Sequence, residues 1–389
     1  MFRKTLFWIH LISGLLAGLV IFMMSFTGVL LTYERQILHW FEQGRYVPAP
    51  EQAEIPATLD TLLALGRLHE PDLEPTSITV LNDPGAPVTL SAGRSGSLSL
   101  HPYTGEHMSV ACPGLENFFS AVTGWHRWFN LSGESRSTAR AITGASNLVF
   151  LFLLLSGLYL WFPRLWRWTL FKARLLFVSN PPSSQARDFN WHHVMGFWSL
   201  IPLVFIVATA TVFNYSWANN LVYWVYGEEA PQRGGGRGGN ETASNQIENM
   251  ALTSAVERNY LSLDQLMQTA RQHTESRLGD WHSLSLTLPE HADSNIEVAV
   301  NQSLGGQPQN QFTLSLDRHS GDLESISGLS DRSPGSQTRS IVRFLHTGEV
   351  LGIWGQTLAG LVSFASLFMV WTGFALAWRR LVQPLFRKK

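Results

Sequence analysis

Four histidines sit at the edges of long apolar runs and fall into two pairs. His10 and His193 each close a W-x-H triplet, Trp8-Ile9-His10 and Trp191-His192-His193, near the start of a charge-free run. His126 and His346 lie just upstream of two other runs, in GWHRWF and RFLHTGE. A neutral imidazole binds a transition metal through either ring nitrogen. Ionisable groups at membrane depth are functional candidates by default. Two imidazoles approaching a flat macrocycle from opposite sides are what bis-histidine haem ligation requires. A structural zinc site is the competing chemistry, but it needs four clustered ligands, usually with cysteine. The chain has one cysteine, Cys112. That also excludes an intramolecular disulfide, a cysteine-held iron–sulfur cluster and covalent haem attachment through C-x-x-C-H.

The neighbours of these histidines suit a large flat ligand. Gly14, Gly18 and Gly196 would let a ring approach the backbone, and helical spacing keeps Gly14 and Gly18 on the face of His10. Trp8, Phe197 and Trp198 would pack its edge. Arg127, Arg136, Arg140 and Arg343 lie near the second pair, where the carboxylates of a haem need cations. Adjacent helix positions differ by about 100°, so only one of His192 and His193 faces His10. The W-x-H match selects His193 and leaves His192 beside it, near a propionate or the lipid interface. His39, His69, His101, His107, His273, His282, His291 and His319 are expected to be surface or turn residues.

Long apolar elements must hold these residues. Residues 5–33, 141–163, 189–227 and 350–378 contain no Asp, Glu, Lys or Arg, and a spanning helix needs about 20 apolar residues. The sequence therefore predicts an integral membrane α-helical protein with four transmembrane helices. The first run is too long for a secretory signal, whose apolar core has about 7–15 residues, so it is expected to be a retained anchor. Basic residues set the orientation. Arg3 and Lys4, then Arg164, Arg167, Lys172, Arg174 and Arg187, then Arg379, Arg380, Arg387, Lys388 and Lys389 fall in the termini and one short loop. Both termini are expected to be cytoplasmic, and the two long segments that hold nearly all the acids to be periplasmic. The net charge of -1 averages these two faces and gives no sign of a nucleic-acid partner.

The expected organisation is a helix over 1–36, an outer module over 37–136, a helix over 137–163, a cytoplasmic loop over 164–188, a helix over 189–217, a second outer module over 218–345, a helix over 346–380 and a tail over 381–389. The second module contains a linker-like Gly-rich insertion, APQRGGGRGGNETASN. The chain also reads as an internal two-fold repeat. Each outer segment has one helical stretch, ATLDTLLALGRLHE or SLDQLMQTARQHTES, followed by short alternating strands. The closing hairpins LSLHPYTGE and LSLDRHSGD align, with Gly105 and Gly321 where the turn needs positive φ. A two-fold axis along the membrane normal would bring the histidines of each pair face to face.

The order of WIHLISGLLAGLVIFMMSFTGVLL, GWHRWF with SGLYLW, NWHHVMGFW and FLHTGEVLG, with two small α+β modules between them, resembles the PepSY-associated transmembrane family over nearly the whole chain. Within it, the chain looks most like the inner-membrane ferric-siderophore reductases of Gram-negative bacteria. The resemblance implies two periplasmic PepSY-like modules and two non-covalent b-type haems, one held by His10 and His193, the other by His126 and His346. Arg127 and Arg343 are the candidate propionate partners. It implies electron delivery to a ferric siderophore, from a cytoplasmic or membrane donor. No nucleotide-binding pattern is present, since GGGRGG lacks the G-K-[ST] of a phosphate loop. The donor is therefore expected to be a reduced flavin, a flavoprotein or a quinol. The competing expectations are a non-enzymatic PepSY-type binding or regulatory protein, and a haem reductase with another periplasmic acceptor.

Overall fold

A chain in lipid has no water to satisfy its peptide groups, so charge-free runs of this length have to be helical. In the computed structural model they are. Residues 1–47, 56–93, 95–231, 260–289 and 295–386 are described; most of the Gly-rich insertion and the last three residues of the tail lie outside them. The first half runs α1 (Phe2–Leu31), α2 (Glu34–Gln43), α3 (Leu59–His69), β1 (Ser77–Leu81), β2 (Val88–Ser91), β3 (Ser97–Leu100), α4 (Pro113–Trp128), α5 (Ser135–Trp161) and α6 (Trp168–Leu175). The second half runs α7 (Ser184–Asn214), α8 (Ser216–Trp224), α9 (Leu263–Arg277), β4 (Ser283–Thr287), β5 (Ile296–Asn301), β6 (Gln311–Leu316), β7 (Leu323–Ser327), α10 (Pro334–Thr347), α11 (Gly352–Leu381) and α12 (Gln383–Phe386). The chain divides into two units. One comprises Met1–Ile37, Pro113–Val225 and Thr338–Lys389, the other Leu38–Cys112 and Tyr226–Gln337.

The first unit is a helix bundle. Among the described residues, four helical stretches built on α1, α5, α7 and α11 are long and apolar enough to cross a membrane. They close a ring: α1 packs on α5 and α11, and α7 packs on the same two helices. So α1 and α7 lie on one diagonal. Small and hydroxyl residues fill the seams, among them Ser25, Thr27, Gly144, Ser146, Ser156, Ser199, Thr209, Ser366 and Thr372, while Leu16, Leu19, Phe205, Leu361 and Trp371 point outward. That inversion is the pattern of helices that face lipid. Buried Asn147 donates to the Val207 carbonyl and to Thr211 Oγ1, each at 3.0 Å, and so fastens α5 to α7. Buried Asp188 pairs with Arg187 and with Arg379, tying the start of α7 to the end of α11.

Local chemistry explains where the helices end. The span expected from 189 starts at Ser184, because the Ser183 hydroxyl caps the Ala186 amide at 3.1 Å. The span expected over 346–380 is two elements. Gly348 and Gly352 adopt φ of 78° and 66°, a left-handed break that ends α10 just after His346 and starts α11 anew. The span expected over 1–36 gives way at Thr32–Tyr33, before the charged α2.

Among the described residues the second unit carries one seven-stranded sheet in the order β3-β2-β1-β4-β5-β6-β7, with antiparallel neighbours throughout. The strands expected in two modules thus share one sheet, joined where β1 pairs with β4. The register of that pair is symmetric about Thr79 and Ser285, which face each other and are joined by a 2.9 Å hydrogen bond. Alternate strand residues, including Ile78, Leu90, Leu284, Leu286, Val298 and Leu314, bury against Leu62 of α3 and Leu266 and Ala270 of α9. The two helices cap each other. The Leu59 amide donates to Asp264 (2.9 Å) and the Leu263 amide to Asp60 (3.0 Å). Gly105 and Gly321 have φ of 71° and 78°. A Cβ at Gly105 would come within 2.3 Å of Leu65 Cδ1, so glycine is required there for two reasons. The closing hairpins differ: after Gly321 the chain forms β7, whereas after Gly105 it makes only the Leu100–His107 bridge.

Candidate functional site

Helical spacing lines up one side of α1 and one side of α7 toward the bundle interior, and the histidines lie there. His10 places Nδ1 2.8 Å from Ser156 Oγ of α5. That hydroxyl already donates to the Phe152 carbonyl at 2.7 Å, so it accepts from His10, and the proton sits on Nδ1. His192 follows the same logic on the diagonal helix. Its Nδ1 lies 3.0 Å from the Met369 carbonyl and 3.1 Å from Thr372 Oγ1 of α11, and Thr372 donates to the Phe368 carbonyl. In both cases Nε2 keeps its lone pair. Anchoring one ring nitrogen fixes the tautomer and orientation of the other, as it does behind metal-ligating histidines.

These contacts favour His192 over the expected His193 as the repeat counterpart of His10. His10 rests beside Gly157, where a Cβ would lie 3.4 Å from its Cε1. His192 rests beside Gly373, where a Cβ would lie 3.6 Å from its Cε1. Ser156-Gly157 and Thr372-Gly373 are the matched positions of α5 and α11, so His192, not His193, makes the contacts that His10 makes. His193 is held differently: its Nδ1 donates to the Phe189 carbonyl of its own helix, 2.8 Å away, and its ring packs on the Phe189 ring at 4.0 Å. The sequence carried this signal in H-x3-G, His10 to Gly14 and His192 to Gly196. The tryptophan one position out of step concealed it.

The same register holds at the other end. Thr27 donates to the Met23 and Met24 carbonyls, and Thr209 to those of Phe205 and Ile206. The interval from His10 to Thr27 equals that from His192 to Thr209. His126, on α4, donates from Nδ1 to Thr27 Oγ1 at 2.9 Å; His346, on α10, donates from Nδ1 to the Ile206 carbonyl at 2.8 Å. Their ring centroids are 6.3 Å apart, with planes inclined at 61°. An imidazole nitrogen sits about 2.0–2.1 Å from a bound metal and roughly 1.1 Å from its own centroid, so two trans ligands have centroids about 6.3 Å apart. The residues present therefore fit a bis-histidine haem. Burial, with the neighbouring His346, pushes the His126 imidazole down to about 4, and burial lowers His346 too. Both are held in the neutral form that binds metal. Thr27 lies roughly 25 Å along α1 from His10, at about 1.5 Å per residue.

Arg127 and Arg343 come together beside this second pair, with Arg136 and Arg140. Partial burial, then repulsion by Arg140, Arg136 and Arg343, pushes the Arg127 guanidinium down. Arg127 and Arg136 stack on the Trp128 ring, and Arg140 donates to the Phe213 carbonyl. Among the described residues none of the four pairs with a carboxylate, so the cluster is suited to anionic groups. At the opposite end Trp161 Nε1 and Arg174 Nη1 are buried with no hydrogen-bond partner among the described residues.

Other expected neighbours are used differently. A Cβ at Gly18 would lie 2.7 Å from the Phe374 ring, and one at Gly14 or Gly196 would meet Leu153 or Met369. These glycines serve helix packing. Phe197 stacks on Trp161 at 4.6 Å, Trp198 is exposed and donates to the Leu175 carbonyl, and Trp8 lies beneath Arg380. His101 accepts the Tyr103 and Thr104 amides within its turn, as expected of a turn residue.

A search among curated proteins finds no match. The family profile described as "PepSY-associated TM region" matches residues 7–380, from the start of α1 to the end of α11. With four apolar spans and that match over nearly its whole length, the chain belongs to the PepSY-associated TM region family.

Proposed function

We propose that this membrane protein is a di-haem b-type reductase that passes electrons from the cytoplasmic side of a bacterial inner membrane to a ferric siderophore in the periplasm, releasing Fe(II). The observation that carries the proposal is the pair of histidine sets at opposite ends of the bundle, each with Nδ1 anchored and Nε2 free. His10 and His192 would hold the inner group, and His126 and His346 the outer one, with Arg127 and Arg343 facing its carboxylates. When bound, the two haems supply one-electron transfer along the bundle. The separation of roughly 25 Å along α1 is too long for one group to serve both faces, which favours two. The matched contacts of His10 with His192, and of Thr27 with Thr209, support an internal two-fold repeat about an axis along the membrane normal. The distribution of basic residues supports cytoplasmic termini and periplasmic modules.

The acceptor follows from ligand chemistry. Hydroxamate and catecholate siderophores offer hard oxygen donors matched to Fe(III). One electron gives Fe(II), for which those donors are a poorer match. The donor would be a reduced flavin, a flavoprotein or a membrane quinol. The test is an absorption spectrum of the purified protein, oxidised and dithionite-reduced, with haem quantified per chain. A b-type bis-histidine spectrum with two haems per chain is the expected result. Protein expressed with ample iron that carries no haem would overturn the proposal.

A further inference from the structure

Two further histidines come together in the sheet-bearing unit. His282 lies between Trp281 and the first residue of β4. Its backbone is held from both sides, by its amide on the Asn301 carbonyl (2.7 Å) and its carbonyl on the Asn82 amide (2.9 Å). His39 of α2 brings its ring to 5.3 Å from the ring of His282, inclined at 75°. Both rings are partly buried. Among the described residues neither ring makes a hydrogen bond, so both nitrogens of each are uncommitted. That is unlike the five bundle histidines, each of which has Nδ1 occupied. The nearest acid on α2, Glu42, is hydrogen-bonded by Arg45 and by the Ala111 amide and acts on His39 only through space.

The spacing carries chemical information. Two imidazoles about 2.0–2.1 Å from one ion at a tetrahedral angle have centroids roughly 5.1–5.2 Å apart, against about 6.3 Å when trans. The 5.3 Å of His39 and His282 matches neighbouring ligands on one ion. Imidazole suits the divalent first-row ions Fe, Ni, Cu and Zn.

We propose that His39 and His282 form an open site for a divalent first-row transition ion, with both imidazoles as ligands and the remaining positions left to water or an exogenous ligand. The site does not depend on haem in the bundle. Its test uses the full-length protein in detergent and Zn(II) alone, read by calorimetry and by metal analysis after dialysis. Compared with wild type, H39Q and H282Q should each bind one Zn(II) fewer per chain, or bind it more than about tenfold more weakly. H107Q, at an exposed histidine, should bind as wild type does. Thermal unfolding without metal should be alike in all four proteins, and Zn(II) should raise the midpoint only where both His39 and His282 are present. Equal Zn(II) binding by wild type, H39Q and H282Q would overturn the proposal. So would an equal loss in H107Q.

Discussion

Thr79 donates a hydrogen bond to Ser285 at the midpoint of the β1–β4 pairing, and the register runs outward from that point in matched pairs, Ile78 with Leu286 and Val80 with Leu284. The two halves of the sheet therefore meet along a seam that belongs equally to both. Leu286→Pro removes a ladder donor at this seam: the Asn82 amide on the His282 carbonyl and the Leu288 amide on the Thr76 carbonyl put the even-numbered residues of β4 in its hydrogen-bonded pairs, and proline has no amide to donate. The expected result is loss of amide exchange protection in β1 and β2 as well as in β4 and β5. Loss confined to β4 and β5 would show that the halves fold separately.

Asp60 and Asp264 make a second reciprocal contact. Each caps the helix of the other half, so Asp60→Ala should fray α9 at Leu263, and Asp264→Ala should fray α3 at Leu59. Losing such a cap costs about 1 kcal/mol. Hydrogen exchange resolves the location. Fraying of the substituted helix alone would contradict the exchange of caps.

The bundle gives a sharp choice between adjacent residues. On the proposed di-haem reading, His192→Ala should remove the inner haem and halve the haem content, whereas His193→Ala should leave the content unchanged. The opposite result would restore His193 as the partner of His10. Gly373→Ala is a milder probe: its new methyl group would fill the space beside the His192 ring at ordinary contact distance, 3.6 Å from Cε1. It should shift the reduced spectrum or midpoint potential without removing haem.

Asp188 is buried between Arg187 and Arg379. Breaking a buried pair by removing one partner costs about 3–5 kcal/mol, so Asp188→Ala should lower the thermal midpoint strongly. Adding Arg379→Leu should recover part of the loss, because the more buried of the two cations left without a partner is then removed and only the more exposed Arg187 remains. A double variant as unstable as the sum of the single ones would show that the pair acts through something other than charge.

The spans were legible because charge exclusion over this length admits few other structures, and the strands because short alternating runs ended in Gly turns. Four features were not legible, each for a physical reason. Strand pairing between β1 and β4 joins residues some two hundred positions apart in the chain, and no local pattern encodes a partner at that distance. Rotation about a helix axis turned on one residue: Trp191 suggested His193, while the small Gly196 one turn on marked His192. The break at Gly348 and Gly352 depends on backbone conformation, which apolar composition does not report. The Nδ1 anchors Ser156, Thr27 and Thr372 read in sequence as ordinary hydroxyls in apolar runs, and only packing shows that each accepts from a histidine.

The seam between β1 and β4 also constrains how the chain is made. After β3 leaves the ribosome, β1 has a neighbour on one side only, and its other partner is encoded after α5 and α7. Two complete membrane crossings therefore separate the synthesis of the two strands. Until β4 arrives, β1 presents an unpaired edge that any extended segment can join. Because one sheet holds both strands, both must also end on the same face of the membrane. A fault in inserting α5 or α7 would strand that edge, making correct membrane insertion a precondition for completing a sheet that lies in another unit of the protein.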